Sequence, residues 1–175
     1  MVFLDESGFL LQPLRRRVWA QRGHTPLQHA WQRHDRITAM AALSRAPWAS
    51  RLGLYYDLLD HNVHAIDAVR FVRDVHHHLQ RPLLLVWDRL PAHRSAVRQL
   101  QQEACSWLSV EWLPGYAPDL DPVESIWNQA KYGDLANWVP DDISELHDIL
   151  DQLLQEYRHD PVRLLSFFKA VHLSL

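Results

Sequence analysis

The chain has 175 residues, which is the size of a single globular domain. Hydrophobic residues make up 47% of it and charged residues 22%, a balance that allows a buried core and excludes a disordered chain. The formal net charge of −3 argues, by itself, against a nucleic-acid-binding protein, since such domains usually carry a basic excess. The single cysteine excludes an internal disulfide framework and indicates a reducing compartment.

Neither a membrane segment nor a secretion signal is visible in the sequence. The chain contains no run of 18 apolar residues, as a helix that crosses a bilayer would need. Asp5 and Glu6 stand near the N-terminus, where a signal peptide carries lysine or arginine. We therefore expect a cytoplasmic protein without a membrane partner.

Five apolar segments predict the strands of a sheet. In chain order they are Met1–Leu4, Arg36–Leu43, Arg51–Leu59, Leu83–Trp87 and Ser109–Leu113. The first is expected to end in a turn at Asp5–Gly8, and the second and third to pair antiparallel around a turn at 46–50. The fourth is a continuous apolar run, which predicts a strand buried on both faces.

Five further segments have the periodicity or the capping residues of helices. They are expected after an N-cap at Asp67, over Ala92–Ala104, from Asp121–Pro122 through Tyr132, after Asp141 or Asp142, and from Asp160–Pro161 onward. Strands followed by alternating helices and strands predict an α/β fold, with a mixed five-stranded sheet and helices on both faces. We interpret 1–175 as one domain, with C-terminal helices over 132–175.

The small net charge conceals a strong asymmetry along the chain. Residues 1–60 hold 8 basic and 5 acidic side chains, and residues 61–118 hold 6 and 5. Residues 119–175 hold 4 basic and 11 acidic side chains. We interpret the acidic part as the solvated surface of helices, and the basic front half as a different kind of surface.

The basic front half contains a cluster of arginines around a tryptophan. The cluster consists of Arg15, Arg16, Arg17 and Arg22, with Trp19 among them. Guanidinium groups beside an indole suit phosphate contacts and packing against bases or sugars. The charged edge of an exposed strand explains the same residues equally well. Both interpretations remain open at the level of the sequence.

Two acids follow predicted strands. Asp5 stands at the expected end of the first strand, and Asp88 follows the strand Leu83–Trp87. In an open α/β sheet, ligands bind beyond the carboxyl ends of parallel strands, so the two acids can belong to one site. An aspartate at a strand end also caps turns and helices, and for Asp88 the two interpretations have equal weight.

Glu124 is the third candidate acid. It stands three residues after Asp121, the spacing of a capping box, and in isolation this structural interpretation is the stronger one. The proline- and glycine-rich loop before it aims the helix at the sheet edge, toward Asp5 and Asp88. Three carboxylates in one place repel one another unless Mg²⁺ or a similar hard cation binds them. The interpretation therefore requires the three carboxylates to converge within reach of a shared ion.

The order and spacing of these acids resemble the catalytic domain of DDE transposases, in the bacterial insertion-sequence group related to the mariner transposases. The motifs are Phe3–Phe9, Trp19–Gly23, Leu85–Asp88 followed by His93, and Trp112–Trp127. Between Asp88 and Glu124 lie 35 residues, a spacing typical of the second and third acids of that family. The resemblance covers Met1 to Lys131, and its last motif is highly specific.

The resemblance implies a ribonuclease H-like fold and a metal-dependent transposase or endonuclease. Asp5, Asp88 and Glu124 would be both the catalytic residues and the ligands of Mg²⁺, or of Mn²⁺ as a substitute. Two ions are expected when DNA is bound. Such an enzyme cleaves DNA at the ends of a mobile element and joins the 3′-hydroxyl to target DNA. Double-stranded DNA is the expected partner, together with a second copy of the chain, and the expected location is the bacterial cytoplasm at the nucleoid.

The resemblance also suggests auxiliary residues. Glu6 would point away from Asp5 on the strand, as a helper or a surface residue. His93 would contact the scissile phosphate, orient Asp88 or lie on a helix surface. Arg89 stands where the family has asparagine and is expected to contact phosphate. Tyr116 is expected to contact DNA along with the arginine cluster.

Two departures from the family pattern affect the interpretation. Asp121 replaces the usual asparagine, although either residue caps a helix. Family members carry a helix-turn-helix region before the catalytic acids, whereas the first acid here is residue 5. We therefore expect a catalytic half that lacks the helix-turn-helix region and works with a separate DNA-recognising chain. The alternatives are an inactive remnant that binds DNA or serves in assembly, and a nuclease acting on RNA–DNA hybrids.

Overall fold

In the residues that the structure describes, five strands form one mixed sheet: β1 (Val2–Leu10), β2 (Arg36–Arg45), β3 (Leu52–Leu59), β4 (Leu83–Trp87) and β5 (Leu108–Trp112). Their order across the sheet is β3-β2-β1-β4-β5. The pairs β1–β2 and β2–β3 are antiparallel, whereas β4 runs parallel to both β1 and β5. The predicted mixed five-stranded sheet is therefore confirmed.

The structure is a computed structural model, and it describes residues 1–12, 14–24, 26–27, 35–46, 51–103, 105–115 and 117–173. Most of the turn predicted between the second and third strands, at 46–50, lies outside these residues.

Within these described ranges, five α-helices cover the sheet: α1 (Ala65–Leu79), α2 (Pro91–Gln102), α3 (Pro122–Gln129), α4 (Ile143–Arg158) and α5 (Pro161–Ala170). Helices α1 and α2 pack on one face, and α3, α4 and α5 pack on the other, as predicted. A 3₁₀ turn at Pro118–Leu120 precedes α3, and a π-helical turn at Ala130–Asp134 follows it. In the described part of the chain, no helix combines the length and the hydropathy of a membrane span.

Side chains of β1 point alternately to the two faces of the sheet, so this strand contributes to both halves of the core. Val2 and Leu4 belong to the cluster under α1 and α2, while Phe3 and Phe9 belong to the cluster under α3, α4 and α5. Successive side chains of a strand point to opposite faces, so each neighbouring pair on β1 serves both layers. Each fully buried side chain of this size contributes roughly 1.5–3 kcal/mol by its removal from water.

Aspartates at the starts of the C-terminal helices act as N-caps. The Asp142 carboxylate accepts a hydrogen bond from the backbone N–H of Glu145 at 2.9 Å, and Asp160 accepts one from Arg163 at 2.9 Å. These bonds satisfy amide groups that the first turn of a helix leaves without partners. Of the two residues predicted to begin α4, Asp142 is the cap.

The turn predicted at Asp5–Gly8 is wrong, because β1 continues through these residues to Leu10. Asp5 pairs with Ala41 and Gly8 with Thr38 in the ladder with β2. Pairing with β2 over this whole segment supplies ladder hydrogen bonds, which outweigh the turn preference of a polar segment. Asp5 therefore lies in the middle of a strand, two residues beyond Phe3, where the pairing of β1 with β4 ends.

Three smaller expectations also need correction. Helix α1 begins at Ala65, so Asp67 lies inside its first turn, where its carboxylate accepts the backbone N–H of His64 at 2.9 Å. Strand β4 is not buried throughout, since Leu84 is 38% exposed. The third helix ends as an α-helix at Gln129 and reaches Tyr132 only through the π-helical turn.

Candidate active site

Asp5, Asp88 and Glu124 line a single open cleft of about 420 Å³. Asp5 projects from β1 just beyond its last pair with β4, and Asp88 follows the end of β4. Glu124 lies in the first turn of α3. The cleft therefore forms where two parallel strands separate, at the carboxyl end of β4, which is the usual ligand position in an open α/β sheet.

Asp5 faces the layer of α3. The indole Nε1 of Trp127 donates a hydrogen bond to Asp5 Oδ2 at 2.9 Å, and Trp127 is itself buried. Burial raises the pKa of Asp5 well above its usual range, and the negative charges of Asp121, Glu6 and Glu124 raise it further. The ionised form of Asp5 is thus unfavourable here unless positive charge enters the cleft.

Asp88 is held from the opposite layer by His93, a fully buried residue of α2. The ring Nδ1 of His93 bonds Asp88 Oδ1, and Nε2 bonds Oε1 of Glu6 at 2.5 Å. Burial alone would lower the pKa of His93, but the hydrogen bonds and charges of the two carboxylates outweigh it and raise the pKa to about 9. The ring is therefore a buried imidazolium that links Glu6 and Asp88.

The hydrogen bond between His93 and Asp88 also favours the ionised form of Asp88. Burial would raise the pKa of this carboxyl, but the bonds from His93 and from the backbone N–H of Leu90 hold it below its usual value. The bond to Leu90 closes a turn before α2, whose N-cap is Leu90, so Asp88 does not cap that helix.

Trp87 completes the support of His93. The two rings stack with their centroids 3.9 Å apart and an angle of 17° between their planes. His93 has no exposed surface, so it neither lies on a helix surface nor reaches a phosphate in the cleft. Of the three roles predicted for His93, the geometry matches the orientation of Asp88, and Glu6 is the partner on its other side.

Asp121 is a fourth carboxylate in the cleft, which the sequence indicated only as a helix cap. It is 4% exposed, and its Oδ1 accepts the backbone N–H of Val123, not that of Glu124, at 2.9 Å. Burial raises the pKa of Asp121 to about 7; the Val123 bond opposes this effect, and the charges of Glu124 and Asp88 add to it. The position of Asp121 in the motif, beside Pro122 and close to Glu124, was the sequence signal that could have indicated a place in the cleft.

The comparisons with known proteins give the family. The model of the DDE superfamily endonucleases matches residues 1–147. This chain belongs to the DDE superfamily endonuclease family. Comparison with curated protein sequences gave no match.

Solved structures of the Mos1 transposase have the same fold as this DDE family member. A pre-cleavage Mos1 transpososome matches with a TM-score of 0.69 at 19% identity, over 98% of this chain and 51% of that one. A Mos1 transposase paired-end complex with the left transposon end matches with a TM-score of 0.67 at 20% identity, over 98% and 51%. The chain thus spans about half the length of those proteins, and the predicted ribonuclease H-like α/β fold is confirmed.

The arginine cluster of this DDE endonuclease chain lies apart from the residues that line the cleft. Its four arginines and Trp19 are exposed in the stretch 14–24, which forms no strand, so the charged strand edge is ruled out as their explanation. The backbone N–H of Arg16 donates to Asn137 Oδ1 at 2.7 Å, and its guanidinium donates to the carbonyl of Tyr132. Arg89 is exposed and lines the cleft, while Tyr116 lies outside the described residues.

The donors of the cleft fit a hard divalent cation by their chemistry. Carboxylate oxygens are the ligands that Mg²⁺ and Mn²⁺ prefer, and the charges of Asp121, Glu6 and Glu124 raise the pKa of Asp5. Over the described ranges, no three His, Cys, Asp or Glu side chains are spaced to hold an ion. The convergence of Asp5, Asp88 and Glu124 on one shared ion position, which the sequence interpretation requires, is therefore not seen: the three acids line one cleft without reaching ligand distances of a common ion.

Proposed function

We propose that this chain is the catalytic domain of a metal-dependent DNA transposase, with Asp5, Asp88 and Glu124 as the catalytic residues and metal ligands. One observation carries the proposal: three acids far apart in the sequence of a DDE superfamily endonuclease line the same cleft. Mg²⁺ is the proposed cofactor, Mn²⁺ the substitute, and two ions the proposed complement with DNA bound.

A divalent cation in the cleft would activate a nucleophile and stabilise the leaving oxygen of a phosphodiester. The chain's own residues position the ligands. Trp127 anchors Asp5, and His93 anchors Asp88 between β4 and α2. Because these anchors come from opposite faces of the sheet, each ligand is held independently of the other.

The proposed substrate is double-stranded DNA. Water would attack the phosphorus at an element end, so that the bond to the 3′ oxygen breaks and a 3′-hydroxyl is released. That hydroxyl would then attack a target phosphodiester, displacing the target's own 3′ oxygen. Solved Mos1 transposase structures are described as a paired-end complex with the left transposon end and a Strand Transfer Complex, which supports this assignment.

Arginines would contact the backbone of that DNA. Arg89 would do so at the cleft, which it lines. Arg15, Arg16, Arg17 and Arg22 would do so elsewhere, and this is supported by their exposure and by the absence of carboxylate partners for them among the described ion pairs. We further propose that a second copy of the chain and a helix-turn-helix segment or chain take part, because one catalytic cleft acts on one strand at a time. The contact proposed for Tyr116 rests on the loop sequence alone.

A second candidate is an inactive remnant that binds DNA or serves in assembly. The observation that favours it is the spacing of the acids, since no described group of three can hold an ion as the side chains stand. This candidate predicts salt-dependent DNA binding without cleavage.

Nicking of supercoiled plasmid in Mg²⁺ or Mn²⁺ separates the two candidates. The transposase proposal expects metal-dependent nicking that falls by at least ~100-fold in Asp88→Asn, since a bound metal contributes several kcal/mol to the transition state. Asp148→Asn, on the exposed surface of α4, is the matched control and should behave as wild type. Equal background cleavage in all three proteins contradicts the enzyme and favours the remnant.

A further inference from the structure

Asp121 is a carboxylate of the cleft that the proposed metal site leaves unused. It lines the cleft together with Asp5, Asp88 and Glu124, and its exposed fraction is only 4%. A charged side chain buried to this extent is almost always paired or bound to a metal. The role of a helix cap accounts for only one of the two carboxylate oxygens of Asp121.

The start of α3 fixes the orientation of the Asp121 carboxylate. Oδ1 accepts the backbone N–H of Val123 at 2.9 Å, and Pro122, the first residue of the helix, has no N–H to donate. The backbone carbonyl of Asp121 accepts the N–H of Glu124 at 3.2 Å. Within the described ranges, no donor bonds Oδ2. One helical turn therefore holds Asp121 and Glu124 together, and Oδ2 of Asp121 is left without a partner in the lining of the cleft.

The charge of Asp121 acts on the proposed metal ligands. Burial is the main cause of the raised pKa of Asp5, and among the charges that add to it the contribution of Asp121 is larger than that of Glu124. Burial also raises the pKa of Asp121, and the charges of Glu124 and Asp88 add to it. Because such effects weaken with distance, Asp121 lies close to all three proposed ligands.

The balance of charge in the cleft also favours a fourth carboxylate ligand. In the described lining, the charged residues are four acids and one arginine, Arg89. Two divalent cations, the proposed complement with DNA bound, carry more positive charge than three carboxylates offset, and four carboxylates match it. Mg²⁺ and Mn²⁺ prefer such oxygen ligands.

We propose that Asp121 is a fourth carboxylate ligand of the proposed metal site and binds through Oδ2. This inference rests on the proposed function and extends its set of ligands. The family usually has asparagine at this position, so the resemblance does not supply this ligand. Asp121 holds the metal and takes no part in bond making or breaking.

Two other roles of Asp121 make different predictions. If Asp121 serves only as the cap of α3, then Asp121→Asn leaves Mn²⁺ affinity unchanged, because asparagine caps a helix equally well. If Asp121 acts only through its charge, Asp121→Asn weakens Mn²⁺ binding, but a thiol placed at this position binds no metal. A ligand predicts both the weaker Mn²⁺ binding and a metal–sulfur bond.

Calorimetry of Mn²⁺ binding, without DNA and at pH 8, tests the role as a cap alone. Asp121→Asn should lower Mn²⁺ affinity by at least ~10-fold, since even residues that only support a metal ligand contribute about 10–100-fold. Asp119→Asn removes an exposed acid of the 3₁₀ turn that does not line the cleft, and should bind Mn²⁺ as wild type does. Equal affinity in Asp121→Asn and wild type overturns the inference, and so does a wild-type protein that binds no Mn²⁺.

Cadmium binding to a cysteine variant tests the role of charge alone. Asp121→Cys is combined with Cys105→Ser, which removes the single native thiol. Thiolates select soft metals, so this protein should show the ultraviolet charge-transfer band of a Cd²⁺–thiolate bond at equimolar Cd²⁺. Asp119→Cys in the same background is the matched control and should show no band. A folded Asp121→Cys protein without the band overturns the inference, and Asp121→Asn decides it alone if the cysteine variant does not fold.

Plasmid nicking distinguishes failure of this inference from failure of the proposed function. Variants that bind Mn²⁺ and Cd²⁺ as expected, in a chain that nicks no plasmid, refute only the proposed function. A chain that nicks plasmid but whose Mn²⁺ affinity is unchanged in Asp121→Asn refutes only this inference.

Discussion

The two faces of the sheet hold their acids in opposite ways. On the face of α1 and α2, the imidazolium of His93 binds Asp88 and Glu6, and it keeps the pKa of Asp88 low. On the face of α3, the neutral indole of Trp127 binds Asp5, whose pKa is raised by burial and by neighbouring acids. On one face a buried cation therefore bonds the acids directly, whereas on the other the acids bond a neutral donor and the pKa of Asp5 stays raised.

The largest effect on stability is expected from replacing His93, the buried cation on the face of α1 and α2. His93→Leu leaves Glu6 and Asp88 without their buried cation, and Glu6 Oε2 already has no partner among the described residues. Removing one member of a buried charge pair costs about 3–5 kcal/mol, which urea unfolding in EDTA should detect. His77→Leu, on the exposed side of α1, should change stability by no more than about 0.5 kcal/mol. A loss below about 1 kcal/mol in His93→Leu would mean that the imidazolium is not formed.

The contacts of His93 with Glu6 and Asp88 also make the free energy of unfolding depend on pH, with a definite sign. The pKa of His93 is raised from 6.5 to about 9 in the folded protein. Its contribution to stability is therefore complete below pH 6.5 and is lost as the pH rises through about 9. The advantage of wild type over His93→Asn should shrink by on the order of 3 kcal/mol between these limits. A constant difference over the range would contradict the assignment.

The next effect comes from removing one carboxylate from the crowded acids of the cleft. Asp121 has its pKa raised from 3.8 to about 7, so its ionisation destabilises the folded protein as the pH rises through that window. Asp121→Asn should therefore be more stable than wild type at pH 8 in EDTA, by a few kcal/mol, and the gain should vanish near pH 4. Asp119→Asn, an exposed neighbour, is the control. A variant no more stable than wild type at pH 8 would show that the charges in the cleft are already balanced.

A smaller effect is expected from removing the hydrogen bond that Trp127 donates to Asp5. Trp127→Phe removes the donor to Asp5 Oδ2 and should cost about 1–3 kcal/mol of stability. Outer-shell hydrogen bonds of this kind support metal affinity by about 10–100-fold, so Mn²⁺ binding measured by calorimetry should weaken by that factor. Trp138→Phe, at a partly buried indole that does not line the cleft, serves as the comparison and should retain Mn²⁺ affinity. Equal Mn²⁺ affinity in both variants would separate Trp127 from the proposed site.

The sheet could be predicted from the sequence because its signals are local. The position of Asp5, Asp88 and Glu124 along one cleft was expected from the strand ends, the loop before Glu124 and the resemblance to the family, and their role stays a prediction. An apolar run such as Leu83–Trp87 indicates a buried strand, and the proline- and glycine-rich loop before Glu124 indicates a turn that leads into a helix. The continuation of β1 past Asp5 could not be predicted, because it depends on pairing with Ala41, which is remote in the chain. The polar composition at Asp5–Gly8 describes only what the segment prefers in isolation.

The missed residues of the site have the same explanation. Asp121 was fully accounted for as a helix cap, and its burial among other carboxylates appears only when β1 and β4 are brought beside α3. The hydrogen bond between Trp127 and Asp5 joins residues 122 positions apart. No periodicity or motif reports such a contact, so it requires the folded structure.

A crystal grown with Mn²⁺ and duplex DNA, and read by anomalous scattering, tests the central claim most directly. The account predicts an anomalous peak in the cleft within about 2.0–2.6 Å of oxygens from Asp5, Asp88 and Glu124, drawn together from their present separation. The His93 and Trp127 hydrogen bonds should persist on the other side of these ligands. A cleft without a peak at saturating Mn²⁺, or a peak bound by other residues while the three carboxylates stay apart, would contradict it.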